Sequence, residues 1–164
     1  MSKFLKIIML SILPVFSMAQ ISFPDSMHLI LQSAKTDSIR YLANMELGYY
    51  FSESNRDSSL FFYGYAFQIG EKNKKKLSGA SFLAMVGFQI TLKGLYSESL
   101  QSFLKSFSII DETKTEENSW MFSPGYIGTQ NTYRPAVLAR TQAIYSTLMR
   151  NTQNVEEELI TLKE

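Results

Sequence analysis

The chain has 164 residues and a formal net charge of +1, with 16 Lys and Arg against 15 Asp and Glu, no cysteine and a single histidine. The lack of cysteine excludes disulfides, thiolate metal sites, a cysteine nucleophile and a lipid-modified cysteine. The balanced charge leaves no clustered basic face for nucleic acid, and stability must come from buried apolar surface, for which the length suffices.

Met1 to Lys6 is a short basic leader, and Ile7 to Phe16 is apolar apart from Ser11 and Pro14. Ser17-Met18-Ala19 then places small residues where a signal peptidase reads. This pattern predicts a secretory signal, residues 1–19, cleaved after Ala19. The alternative is an uncleaved N-terminal anchor, although the run falls short of the about 20 apolar residues a spanning helix needs. The absence of cysteine fits a bacterial export route and a periplasmic or cell-envelope location.

Residues 20–36 read as an N-terminal segment with a short helix, Ser26 to Ala34, capped by Asp25. Asp37 is expected to cap a helix from Ser38 to Ser52, whose apolar positions Ile39, Leu42, Ala43, Leu47 and Tyr50 have helical spacing. Glu53-Ser54-Asn55-Arg56 breaks it. Asp57 opens a second helix with Leu60, Phe61, Tyr63, Ala66, Phe67 and Ile69 on its buried side, and Gly70 and Asn73 loosen its end. The basic run Lys72, Lys74, Lys75 and Lys76 falls in the next turn and reads as solvated. A second pair follows, Leu77 to Lys93 and Ser97 to Ile110. Gly94 ends its first helix and Ser97 caps its second, where Leu100, Phe103, Leu104, Phe107 and Ile110 make an apolar face.

The two pairs repeat one another. Gly48 and Gly87 lie 39 residues apart, each midway along a first helix. Ser59 and Ser99, Tyr63 and Phe103, and Ala66 and Ser106 lie 40 apart in the second helices. Gly87 admits a close partner helix and Ser99 is the small residue that receives it. Gly87, Gly94, Tyr96, Ser99 and Phe103 together resemble the tetratricopeptide repeat, whose unit of about 34 residues with a longer connection accounts for the period. The resemblance implies an all-α, tetratricopeptide-like helical-hairpin solenoid with two clear repeats at 37–111. A partial third repeat is expected at 135–164, with Ser146 in place of the glycine and Asn151-Thr152-Gln153-Asn154 as its turn. Between them, Glu112 to Arg134 reads as a loop carrying Trp120, Phe122 and Tyr126. Loops this long are often functional; the alternative is an ordered excursion covering the end of a helix pair.

Catalysis has little support in the sequence. His28 reads as a surface residue of the first helix, and one His without Cys is a poor basis for a zinc site. Glu156-Glu157-Glu158 reads as an acidic first turn. Gly70-Glu71-Lys72 lacks a phosphate-loop spacing. Ser102-Phe103-Leu104-Lys105 lacks the companion motifs of penicillin-recognising enzymes. An enzyme using the Trp120 to Tyr126 loop with Glu112, Glu116 or Glu117 is the remaining catalytic alternative. No cofactor or metal is expected.

Binding is better supported. In stacked repeats the first helices line a concave groove, which places Met45, Tyr49 and Ser52 beside Ala84, Phe88 and Thr91. Tyr49 and Phe88 are expected side by side, either holding an extended peptide or partner helix or covered by the N-terminal segment Ile21 to Leu31. Gly48, Ser59, Tyr63, Ala66, Gly87, Ser99 and Phe103 are assigned to packing between helices. The wording of Asp37-Ser38-Ile39-Arg40 and of Asp57 to Tyr63 is similar to exported bacterial tetratricopeptide proteins whose repeats precede a membrane span and a histidine kinase or DNA-binding output. This implies an extracytoplasmic sensor or assembly domain. The expectation is an exported, non-catalytic scaffold for a protein or peptide, with no nucleic acid partner. Its contact with membrane would be only through the signal segment or a further C-terminal span.

Overall fold

The computed structural model describes residues 21–114, Trp120 and 130–161, so the signal segment, Phe122 and Tyr126 lie outside the described residues. It is all-α, with six helices and no strand among the described residues: α1 (Phe23–Ser33), α2 (Asp37–Phe51), α3 (Arg56–Lys72), α4 (Lys76–Thr91), α5 (Tyr96–Glu112) and α6 (Gln130–Thr161). Short connections make α2 and α3 one hairpin and α4 and α5 a second. The pairs stack through α3 and α4, α1 packs on α2, and α6 packs on α4 and α5.

The observed caps lie one to three residues before the expected ones. Ser22 caps α1, accepting from the Asp25 amide and donating to the Asp25 carboxylate at 2.6 Å. Thr36 caps α2 through the Ile39 amide and Asn55 caps α3 through the Ser58 amide. Asp25, Asp37 and Asp57 stand instead inside the first turns, where a negative charge meets the positive end of the helix dipole. Ser97 is not the cap of α5 either, since that helix already begins at Tyr96 without a side-chain cap. Gly94, at φ +78°, ends the turn after α4 as expected. Lys74, at φ 58°, makes the corresponding turn after α3 without glycine.

Most of α4 is buried, from Leu77 through Met85 and again at Gly87, Gln89 and Thr91. A helix apolar or small on all sides belongs between neighbours rather than on a surface, and α4 has three. Tyr41, Met45, Tyr63, Ala66, Phe82 and Met85 join α2, α3 and α4. Leu77, Ala80, Ile110, Tyr133 and Val137 join α4, α5 and the start of α6. Ala84, Phe103 and Leu148 continue that seam.

Several apolar residues face the other way. Ile39, Leu42 and Tyr50 of α2 are exposed, as are Phe61 of α3 and Leu100 and Leu104 of α5, with Phe61 and Leu104 each 56% accessible. The reason is that α2 and α5 turn different sides to their partners than an isolated apolar stripe suggests. The seam of α2 runs instead through Tyr41, Met45 and Gly48, at four- and three-residue steps.

The C-terminal third differs most from expectation. No turn occurs at Asn151 to Asn154, and α6 continues through these residues as one helix of 32. The segment has neither Gly nor Pro to break it, and the Thr152 hydroxyl bonds back to the Leu148 carbonyl at 3.1 Å, inside the helix. The partial third hairpin is therefore a single helix. The loop is also shorter than Glu112 to Arg134, because α6 begins at Gln130, before Pro135. Proline costs a helix one hydrogen bond, and the burial of Tyr133 and Val137 against Leu77, Ala80 and Ile110 compensates.

Candidate functional site

The residues assigned to helix packing lie at the contacts between helices. In the first hairpin the Ser59 hydroxyl donates to the Gly48 carbonyl at 2.9 Å, and the Tyr63 ring lies flat where a Gly48 side chain would be. In the second, the Ser99 hydroxyl donates to the Gly87 carbonyl at 2.8 Å and Phe103 covers Gly87. Each latch consists of a glycine on the first helix, a serine opening the second and an aromatic ring one turn later. Ala66 and Ser106, the next matched pair, are both buried, and Ser106 donates to the Ala80 carbonyl at 2.8 Å. Burial pushes the Tyr63 phenol far above its ordinary pKa, which keeps it neutral.

The proposed groove residues divide into two sets. Met45, Ala84 and Thr91 are at most 1% exposed and belong to the interior, correcting their placement on the concave face. Met45 fills the α2–α3–α4 core and Ala84 meets Phe103 and Leu148. The Thr91 hydroxyl donates to the Gly87 carbonyl at 3.0 Å and lies 2.6 Å from that of Ser99, which joins it to the second latch. Because the hairpins cross at a glycine, each first helix sinks into its partner, and Met45 and Ala84, three residues before the two glycines, sink with it.

Tyr49, Ser52 and Phe88 are half-buried. The Ser52 hydroxyl turns back on the Tyr49 carbonyl at 2.7 Å. The N-terminal helix does not cover Tyr49 and Phe88. It packs elsewhere, Phe23 stacking on Tyr50 at 5.3 Å and exposed His28 meeting Phe62 edge-on at 5.9 Å. The cover comes from α6. Arg140 donates to the Tyr49 hydroxyl and to Met85 Sδ at 3.4 Å, with its guanidinium 5.6 Å from the centre of the Tyr49 ring. Ile144 packs beside Phe88. Sequence reasoning missed Arg140, Ala143, Ile144 and Thr147. Their spacing of three to four residues marks one helical face, but it was read as the first half of a hairpin.

Between α4 and α6 a recess of about 330 Å³ remains, lined by Met85, Phe88, Arg140, Ala143, Ile144 and Thr147. Arg140 is the one charged residue in that lining. Phe88 of the aromatic pair lines it, and Arg140 connects it to Tyr49.

Trp120 is half-buried rather than displayed. Its ring lies 5.0 Å from that of Tyr41 and packs on the α2–α3–α4 core. Its carbonyl accepts from the Ser78 hydroxyl at 3.0 Å and from that of Tyr133. The residue ties the connection after α5 to the starts of α4 and α6, the covering role given above as the alternative. Among the described residues no three His, Asp or Glu are grouped to hold a metal ion, and no helix is long and apolar enough to cross a membrane. The chain matches no family model, no curated protein and no solved structure.

Proposed function

We propose that this chain is an exported tetratricopeptide-type scaffold that binds a protein or peptide and has no catalytic activity of its own. The observation that carries the reading is the latch repeated at Gly48-Ser59-Tyr63 and Gly87-Ser99-Phe103, at matched positions of two stacked hairpins. Arrays built this way bury their cores by stacking and use the first helices as a binding surface. In this proposal the signal peptide is removed after Ala19, the protein works in the periplasm or cell envelope, and the surface centres on Tyr49, Ser52 and Phe88 with the facing side of α6.

The test is capture from a cell-envelope extract by the chain from Gln20 onward, beside a Tyr49→Ala, Phe88→Ala variant whose circular dichroism stays helical. A partner held by the first and lost by the second supports the reading. Equal capture by both, or none by either, overturns it.

A second reading is the extracytoplasmic sensor part of a two-component signalling protein. It is favoured by α6, whose 32 residues are twice the 16 of α4. The buried contacts run from Tyr133 and Val137 beside the start of α4 to Leu148 beside its middle, and the helix continues for 13 residues beyond Leu148. A helix of this length suits transmission along its axis. The encoding reading frame tests this: continuation into a membrane span and an output module supports it, and a stop codon after Glu164 overturns it.

A further inference from the structure

The stack of hairpins ends unevenly. Helix α6 covers α4 and α5 at one end, while at the other Ile30 of α1 and Ile39, Leu42 and Tyr50 of α2 are exposed. Their counterparts within the stack are covered. Ile39, Leu42 and Tyr50 stand 39 residues before Ser78, Ser81 and Gln89 of α4, all fully buried. That side of α4 meets the preceding first helix: the Phe82 ring lies 5.4 Å from that of Tyr41, and Met85 shares a cluster with Met45. Likewise Ser26 and Ile30 stand 33 residues before Ser59 and Tyr63, the fully buried latch residues of α3. Helix α1 buries none of its own residues. It has the place of a second helix without a first.

We propose that residues 4–18 of the uncleaved chain supply that first helix, seated on α1 and on Ile39, Leu42 and Tyr50 of α2. The length of chain before α1 fits. Helices α3 and α5 each follow their first helix after four residues, 52–55 and 92–95. The same connection before Phe23 is 19–22, and a helix of 15 residues, the length of α2, then spans 4–18. Its side toward α2, taken 33 residues before Tyr41, Met45 and Tyr49, is Ile8, Ile12 and Phe16, all apolar. Pro14 withholds one hydrogen bond from this helix, as Pro135 does from α6. Charge selects the occupant. Residues 1–19 hold Lys3 and Lys6 and no acid, and half-buried Glu46 lies on the face to be covered. A second copy, seated about a two-fold axis through the middle of this face, would bring two Glu46 carboxylates together instead. Cleavage after Ala19 falls in the connection rather than in the helix, and release of residues 4–18 uncovers the apolar face. This seat goes beyond the proposed scaffold role and does not depend on it.

The test uses the full chain made without signal peptidase. It has no native cysteine, so an Ile12→Cys, Glu46→Cys pair can be joined by a short bis-maleimide. The expected product is a link within one chain, and none for Ile12→Cys with Leu104→Cys, whose second site is on the exposed side of α5. Ile8→Asp with Ile12→Asp should lower Tm by about 5 °C or more, because two carboxylates cannot be seated against an apolar face. Ile7→Asp, at the position of Arg40, has no preceding helix to meet and should leave Tm within about 1 °C. A link only between chains, an equal link to Leu104, or an unchanged Tm for the double variant overturns the seat. If the cysteine pair does not fold, the melting comparison decides, and equal losses from Ile7→Asp and the double variant are the overturning result. Neither readout uses a protein partner, so failure here and a failed envelope capture are told apart.

Discussion

A methyl group added at Gly48 would lie 2.5 Å from Cδ1 and Cε1 of Tyr63, whereas at Gly87 the nearest atom, Cε2 of Phe103, is 3.1 Å away. The Tyr63 ring cannot retreat, since Tyr49 meets it edge-on at 5.5 Å and Phe82 stacks on it at 5.7 Å. Alanine favours a helix over glycine by about 1 kcal/mol, and overpacking a core costs about 1–3 kcal/mol. Gly48→Ala is therefore expected to destabilise by up to about 2 kcal/mol net. Gly87→Ala should stay within about 1 kcal/mol of the parent. Urea unfolding followed by the single tryptophan checks both, and equal losses would show the two latches equally tight. The sequence offset identified both glycines, but not the difference between 2.5 Å and 3.1 Å that separates the two outcomes. The same limit applies to the caps. Ser, Thr, Asn and Asp all cap well, so where several occur together, as at Thr36-Asp37-Ser38, residue type alone does not choose among them.

Between elements, Asp37 joins the start of α2 to the end of α3. Its carboxylate accepts from the Asn73 amide at 3.0 Å, pairs with Arg40 at 2.9 Å and with Lys72 at 3.2 Å. The Asn73 hydrogen bond, then those of Arg40 and Lys72, lower its pKa from 3.8 to about 2. A carboxyl lowered on folding stabilises the native state above its unfolded pKa and ceases to do so as pH falls through the folded one. The contribution should thus be complete at neutral pH and disappear between about pH 4 and pH 2. Asp37→Asn is expected to lower Tm at pH 7, with the difference from the parent closing as pH approaches 2. A difference that persists at pH 2 would assign the loss to packing instead. Lys72 and Asn73, 35 and 36 residues away in sequence, are brought to Asp37 by the hairpin, and only charge-pattern luck would have named them. The absent turn at Asn151 is the converse case. Four polar residues resemble a turn by composition, yet their backbone groups are fully served by an unbroken helix.

Across the whole molecule, α6 closes the inner face that two hairpins alone would leave open. Leu148, 3% exposed, packs in one cluster with Ala84 and Phe103. Leu148→Ala should cost about 2–5 kcal/mol, the range for emptying such a position. It is also expected to lower the urea midpoint measured at Trp120, although that ring packs on the other cluster, because α4 belongs to both. An unchanged midpoint would mean that α6 is an appendage and that the recess it forms with α4 is not a fixed feature.

Local patterns in the chain determined its all-helical class, the two hairpins, the repeat between them and the residues of both latches. Each of these depends on spacing within about 40 residues and on the size of a few side chains. Tertiary structure alone decided which apolar residues face inward, and it moved Met45, Ala84 and Thr91 into the core and Phe61 and Leu104 to the surface. It also decided that α6, rather than the N-terminal helix, meets Tyr49 and Phe88, forming the recess beside Arg140. The physical reason is that burial depends on how close neighbouring helices come and how they are turned, and those are set at contacts between residues up to 91 positions apart.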